Sequence, residues 1–238
     1  LNGYDGALDT WIGGDNDSSG YYFDYDEDNE IVVKSIERDP ITFTLKGSGT
    51  EESPYLINNS KEWKEATTRA KQDAYFKINK DIDFENKPFY MLGTASNYFV
   101  GVLNGDNHVL SNITMTGIYN VGLIGYNNGG IIKGININKM SLISSSSNIG
   151  ALVGYNASGS VMGSNLYDIN VTGGAVAGGA VGNLNEGIVS DIKLSGNLTG
   201  SYSLGGIVGG IGNTISSVTS VLYNGDITCT SNCGGLVG

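Results

Sequence analysis

The chain has 238 residues, 39% of them hydrophobic, with 24 acidic against 13 basic side chains and a formal net charge of −11. That length can bury a sizeable core. The acidic balance argues against nucleic-acid binding, which needs a basic stripe, and the absence of an apolar run of 18 or more residues argues against a membrane-spanning helix.

Charge is unevenly placed. Residues 1–88 hold 19 of the 24 acids, 10 of the 13 bases and all three prolines, Pro40, Pro54 and Pro88. The first stretch, 1–46, reads as an acidic region with short strands at Ile31-Val-Val and Ile41–Leu45. Asp24, Asp26 and Asp28 alternate there as oxygen ligands do in calcium loops, so calcium is the one metal the sequence suggests. The helix-loop pattern fails at its sixth position, Asn29, and its twelfth, Ser35, and a solvated acidic loop is the competing reading. Asp15 and Asp17 form a weaker version of the same cluster.

Residues 47–74 read as a linker and a helical cap. A helix is expected over 58–72, capped by Asn59 or Ser60, with Glu62 placed as in a capping box and Trp63, Ala66 and Ala70 on one face. Its expected role is to cover the first coil of a downstream stack of repeats.

From Phe89 onward, 150 residues contain 30 glycines and no proline. A phrase recurs: Val121-Gly-Leu-Ile-Gly125, Ala151-Leu-Val-Gly154, Gly179-Ala-Val-Gly182, Gly206-Ile-Val-Gly209 and Gly235-Leu-Val-Gly238. Its closing glycines are 29, 28, 27 and 29 residues apart. Such a period marks a stacked-repeat protein. Glycine at this density opposes helix by about 1 kcal/mol per site, whereas β-branched residues between glycine and asparagine corners suit short strands. The predicted fold is all-β: a parallel β-helix over 75–238, with Tyr75–Phe84 as its first coil and Phe99–Thr114 as a second. Residues at one offset should stack: Ile137, Leu166, Leu194 and Val221 as one inward column, Ile131/Ile132, Val161, Ile188/Val189 and Ile215 as another, and Leu123, Leu152, Ala180, Ile207 and Leu236 as a third. The framing glycines would serve corners needing positive φ or close backbone approach.

The order of these segments, from Gly47-Ser-Gly-Thr-Glu-Glu-Ser-Pro-Tyr-Leu-Ile57 through Tyr75–Asp83, Gly101–Thr114 and the glycine phrases, resembles that of microbial surface proteins carrying the GLUG motif. The resemblance covers about residues 47–238. It implies a right-handed solenoid within large secreted or wall-attached proteins, among them adhesin-like proteins and non-catalytic regions of immunoglobulin-A peptidases. The Tyr-Asn after the first two phrases, Tyr126-Asn127 and Tyr155-Asn156, is missing from the later ones.

Catalytic parts are few. The single histidine, His108, reads as a corner residue, and the coil carboxylates Asp106, Asp168, Glu186, Asp191 and Asp226 fall at unrelated offsets, which does not build the paired acids of a polysaccharide-cleaving β-helix. No catalytic residue and no cofactor is expected. Cys229 and Cys233 are the only cysteines; a small disulfide suits an oxidising setting, with free thiols as the alternative. Six sequons, at Asn16, Asn58, Asn112, Asn156, Asn170 and Asn197, are glycosylation candidates, although a chain so rich in Asn, Ser and Thr generates sequons by composition alone.

The functional expectation is a non-catalytic structural or adhesive segment of an extracellular microbial surface protein or filament. The alternative is a carbohydrate-binding or carbohydrate-cleaving module in which Tyr126 and Tyr155 form an aromatic stripe. An ice-binding face would need regular Thr-x-Thr rows, and none is present. Because Gly238 falls inside a phrase, the expected neighbours are further repeats of the same polypeptide or other copies of the chain, with host or environmental glycans or proteins as adhesion targets.

Overall fold

A computed structural model of the protein describes residues 21–25, 31–35, 45–117, 119–144, 148–173, 175–212 and 215–238. The chain divides into two units, 1–43 and 44–238. In the first, β1 (Tyr21–Tyr25) pairs antiparallel with β2 (Ile31–Ser35), Tyr25 opposite Ile31. Ile31-Val-Val is therefore a strand, and its partner is the strand that carries the aromatic Tyr21-Tyr22-Phe23 run. Residues 41–44 of the expected strand Ile41–Leu45 lie outside the described ones; within the second unit Lys46 bridges Leu56.

The second unit is a parallel β-helix. Its N-terminal strands are β3 (Tyr55–Ile57), β4 (Tyr75–Ile78), β5 (Ile82–Asp83), β6 (Val102–Asn104) and β7 (Val109–Gly117). The repeats contribute β8 (Ile124–Lys133), β9 (Asn136–Ser144), β10 (Asn148–Ile149), β11 (Val153–Gly173), β12 (Val176–Gly178), β13 (Val181–Leu184), β14 (Gly187–Gly200), β15 (Ser203–Gly205), β16 (Val208–Ile211), β17 (Ser216–Thr219), β18 (Leu222–Cys229) and β19 (Cys233–Gly234). Each pairs in parallel with its counterparts one repeat away, so residues at one register stack.

The inward columns are apolar, aliphatic for most of their length. One runs Tyr55, Phe76, Leu103, Ile132, Val161, Val189, Val218. A second runs Ile82, Leu110, Ile137, Leu166, Leu194, Tyr223, and a third Met115, Leu142, Val171, Leu198, Ile227. Leu152, Ala180, Ile207 and Leu236 succeed one another through main-chain N–H to C=O bonds, and Leu123 N–H donates to Ala151 O beside Leu152. Each fully buried aliphatic side chain contributes roughly 1.5–3 kcal/mol, and no isolated coil could bury both its flanks.

Three sequence expectations shift. The second column ends on Tyr223, not Val221, and the first on Val218, not Ile215, which is 67% exposed. The cause is local. Leu184 pairs with Ile211 and Gly187 with Ser216, so the last repeat makes the same corner with two more residues and every later offset moves by two. The first coil also starts earlier, because Tyr55–Ile57 already pairs in parallel with Phe76–Ile78.

The helix α1 (Ser60–Thr67) is shorter than the expected 58–72. Asn59 caps it, Glu62 N–H donating to Asn59 Oδ1 (2.9 Å), and Glu62 Oε2 accepts from Asn58 N–H (2.7 Å). At the other end the hydroxyls of Thr67 and Thr68 donate to the carbonyls of Lys64 and Glu65 and compete with the helical ladder. Trp63 and Ala66 join the common core with Ala70 beyond the helix. Trp63 lies edge-on to Phe84 (6.0 Å), and its Nε1–H donates to Tyr90 O (2.8 Å).

Glycine has two separate uses here. The closing glycines allow close approach: a Cβ on Gly182 would lie 2.5 Å from Gly154 O and 2.6 Å from Ile149 N. Other corners need positive φ, and there the register stacks unlike residues. Gly134, Gly163, Asp191 and Ser220 form one column (φ 64, 62, 55 and 53°), and Asn112, Lys139 and Asp168 another (φ 53, 69 and 53°).

Cys229 and Cys233 are joined, with Cα atoms 6.1 Å apart. They align with Gly200 and Leu204 of the preceding coil. In earlier coils the same corner sets a glycine against an aliphatic, Gly117 against Val121 and Gly173 against Ala177, where an added Cβ would fall within 2.6 and 2.7 Å of the side chain. The disulfide thus takes the place of that contact. Closing so short a loop contributes about 2 kcal/mol in the chain-entropy account. Reduction, or the double substitution Cys229→Ser/Cys233→Ser, is expected to lower stability by about that amount, read from urea midpoints with and without dithiothreitol.

Candidate functional site

Three surface features and one buried one are the places where this solenoid could do chemistry or bind. The buried one explains the Tyr-Asn of the first two repeats. Asn127 and Asn156 are fully buried, and Asn127 Nδ2 donates to Asn156 Oδ1 (2.7 Å) and Gly130 O (3.0 Å), while Asn156 Nδ2 donates to Glu186 O (2.7 Å). The amides satisfy main-chain groups that the bends leave unpaired, as buried polar atoms require. In the next repeats Leu184 and Ile211 take the aligned position, so the column stops.

The tyrosine stripe is longer than the sequence suggests. Tyr98, Tyr126 and Tyr155 succeed one another with centroids 6.4 and 5.1 Å apart and planes inclined by 48 and 34°; Lys71 Nζ lies 5.0 Å from the centroid of Tyr98. Burial, and then Tyr126, raise the Tyr155 phenol above its ordinary range.

The carboxylates do not converge. Asp168 and Asp191 occupy the two different corner columns, and Asp226 points outward from β18 in register with Asn197. Asp81 accepts from Val109 N–H (2.9 Å) and lies 3.1 Å from His108 Nδ1; these contacts, the main-chain bond first, hold its carboxyl below the usual range. Asp106 pairs with Lys77 (2.8 Å). Among the described residues no group of three or more His, Cys, Asp or Glu is placed to hold a metal ion. Asp24 belongs to β1, paired with Val32, while Asp26 and Asp28 lie outside the described residues.

Fixed offsets miss the third surface feature. Thr116, Ile143, Thr172, Thr199 and Thr228 align on consecutive coils, flanked by Thr114, Ser141, Asn170, Asn197 and Asp226. This face carries one charge and no aromatic side chain. The sequons Asn170 and Asn197 lie on it. Of the others, Asn58 borders the helix cap, Asn112 sits in a corner and Asn16 lies outside the described residues. Asn156, being buried and hydrogen-bonded through its nitrogen, has no room for a glycan in the folded chain, which corrects the expectation there.

Fold and faces together define a repeat-built parallel β-solenoid. No family model matches the chain. It is similar to halomucin of Haloquadratum walsbyi, 28% identical over 199 residues that cover 76% of this chain, and the match spans 2% of that relative's length. A crystal structure from Bacteroides ovatus, provisionally named an immunoglobulin A1 protease, matches 77% of this chain and 79% of its own, with 17% identity and a TM-score of 0.45. Among the described residues no helix is long and apolar enough to cross a membrane.

Proposed function

We propose that this solenoid is a non-catalytic structural and adhesive module of an extracellular, GLUG-type microbial surface protein. The observation that carries the reading is the separation of its acids: Asp168 and Asp191 sit in different corners whose positive φ suits Asp and Asn, so their positions follow from turn geometry rather than from acid–base work. Similarity to a segment of a very long protein named halomucin supports the extracellular placement, as does the joined cysteine pair. The low charge after residue 88 suits a spacer or stalk, assembled with further repeats or other copies, that presents neutral faces to glycans or proteins.

Two measurements test this. Antibody labelling of intact cells of the source should find the chain at the surface. Incubation of the purified chain with plant, algal and host glycans should release no reducing or unsaturated ends. Cleavage that disappears on changing Asp168, Glu186 or Asp191 would overturn the non-enzymatic reading. The carbohydrate-binding alternative has the tyrosine ladder in its favour. It requires glycan retention on an affinity gel that falls when Tyr126 and Tyr155 are changed to Ala.

A further inference from the structure

We infer that Asn197 is a glycan-bearing residue of the folded protein and that the other described sequons are not; the inference rests on the extracellular reading above. A sequon becomes a modification site only where the asparagine stands at the surface with room for a bulky sugar, and most readily where no hydrogen bond holds its side chain; Asn197 is exposed, whereas Asn58, Asn112 and Asn170 are half-buried and Asn156 is buried. The described sequons differ sharply in this respect. Asn58 Nδ2 donates to Glu62 Oε2 (2.8 Å), Asn112 Nδ2 to Asp83 Oδ1 (2.9 Å), Asn156 Nδ2 to Glu186 O (2.7 Å) and Asn170 Nδ2 to Asp168 Oδ1 (3.1 Å). Each of these bonds holds a helix cap, a corner or a bend in place. Asn197 Nδ2 has only a 3.5 Å approach to Asn170 Oδ1, beyond the ordinary range for such a bond.

The local conformation of Asn197 completes the case. It lies in the extended strand β14, and alternation puts Asn197 and Thr199 on the outward face while Leu198 fills the core at 1% exposure. Asparagine and the hydroxyl two residues on, the two groups that make the acceptor, are therefore both exposed on one side of one strand. Asn170 and Asn197 pair directly in register, so a sugar on Asn197 also covers Asn170. In the transfer, a bond forms between Asn197 Nδ2 and the anomeric carbon of a sugar-phosphate donor. The bond from that carbon to the phosphate oxygen breaks, the phosphate leaves with the electron pair, and Nδ2 gives up one proton.

The test uses the chain as its source displays it. Surface protein is isolated from labelled cells, digested, and its peptides are read by mass spectrometry. The expected result is a hexose- or hexosamine-containing modification on the Asn197 peptide, lost in Thr199→Ala and retained in Thr199→Ser, both variants keeping the wild-type melting temperature because Thr199 faces away from the core. A surface-displayed chain with an unmodified Asn197, or with the glycan on Asn156 or Asn170 instead, overturns the inference and leaves the surface reading standing. A chain absent from the surface overturns the reading on which it rests.

Discussion

Gly182→Ala is expected to destabilise the solenoid by about 3 kcal/mol or more, although it adds a single methyl group. A Cβ at this position would meet Gly154 O at 2.5 Å, Ile149 N at 2.6 Å and Ile149 O at 2.8 Å, all of them main-chain atoms of the preceding coil. Flexible side chains could yield; these atoms are fixed by the hydrogen bonds that set coil spacing. The geometry is reciprocal, since a Cβ on Gly150 would lie 2.5 Å from Gly182 N. Two backbones thus pack with no side chain between them, and the recurring glycines of the phrase mark that seam. Gly163 is the control. Its φ is 62°, but an added Cβ would find nothing nearer than Gly134 N at 3.9 Å, and Asp191 and Ser220 occupy the same column. Gly163→Asn should therefore be nearly neutral. Urea denaturation of both variants decides the matter, and equal stabilities would show that the seam can open without loss.

The architecture is legible in the sequence because its period, its glycines and its aliphatic offsets each follow from stacking. The hidden parts come from small changes of register. Val221 and Ile215 sit at the right offsets from Gly209, but the corner after Ile211 is two residues longer than its equivalent after Leu184, and no local signal announces this. The same displacement hides Thr228 from the column of Thr172 and Thr199. Tyr55-Leu-Ile57 reads as a linker because a three-residue strand after Pro54 carries almost no periodicity. Candidate sites are legible only as residue types. That Asn156 is a buried amide and Asn197 an exposed one depends on which side of the wall each faces. Their places in the repeat do differ: Asn156 follows Tyr155 directly after a closing glycine, whereas Asn197 lies well along the strand Gly187–Gly200.

Leu194→Asp is expected to abolish folding of the second unit, with a loss beyond the roughly 4–5 kcal/mol that marks exceptional substitutions. Leu194 is 3% exposed and stacks between Leu166 and Tyr223 in the inward column. Its methyl groups also fill the space above Gly179, where a Cβ would lie 2.8 Å from Leu194 Cδ1. A carboxylate placed there loses its water and gains no cation: the nearest column neighbours are aliphatic or aromatic, and Lys193, next in sequence, points out of the wall. Burying a charge without a partner costs several kcal/mol even after relaxation. Because each coil is held only by its neighbours, the damage should not stay local. Severing the stack at Leu194 leaves β17 to β19 attached to a coil that no longer closes, and the disulfide at Cys229–Cys233 cannot compensate, since it staples only one corner of the last coil. Leu194→Ala, which makes a cavity without a charge, should cost about 2–5 kcal/mol and remain folded. Far-ultraviolet circular dichroism and size-exclusion chromatography of the three proteins separate these outcomes, and a Leu194→Asp chain as stable and monodisperse as wild type would mean that the column does not face the core.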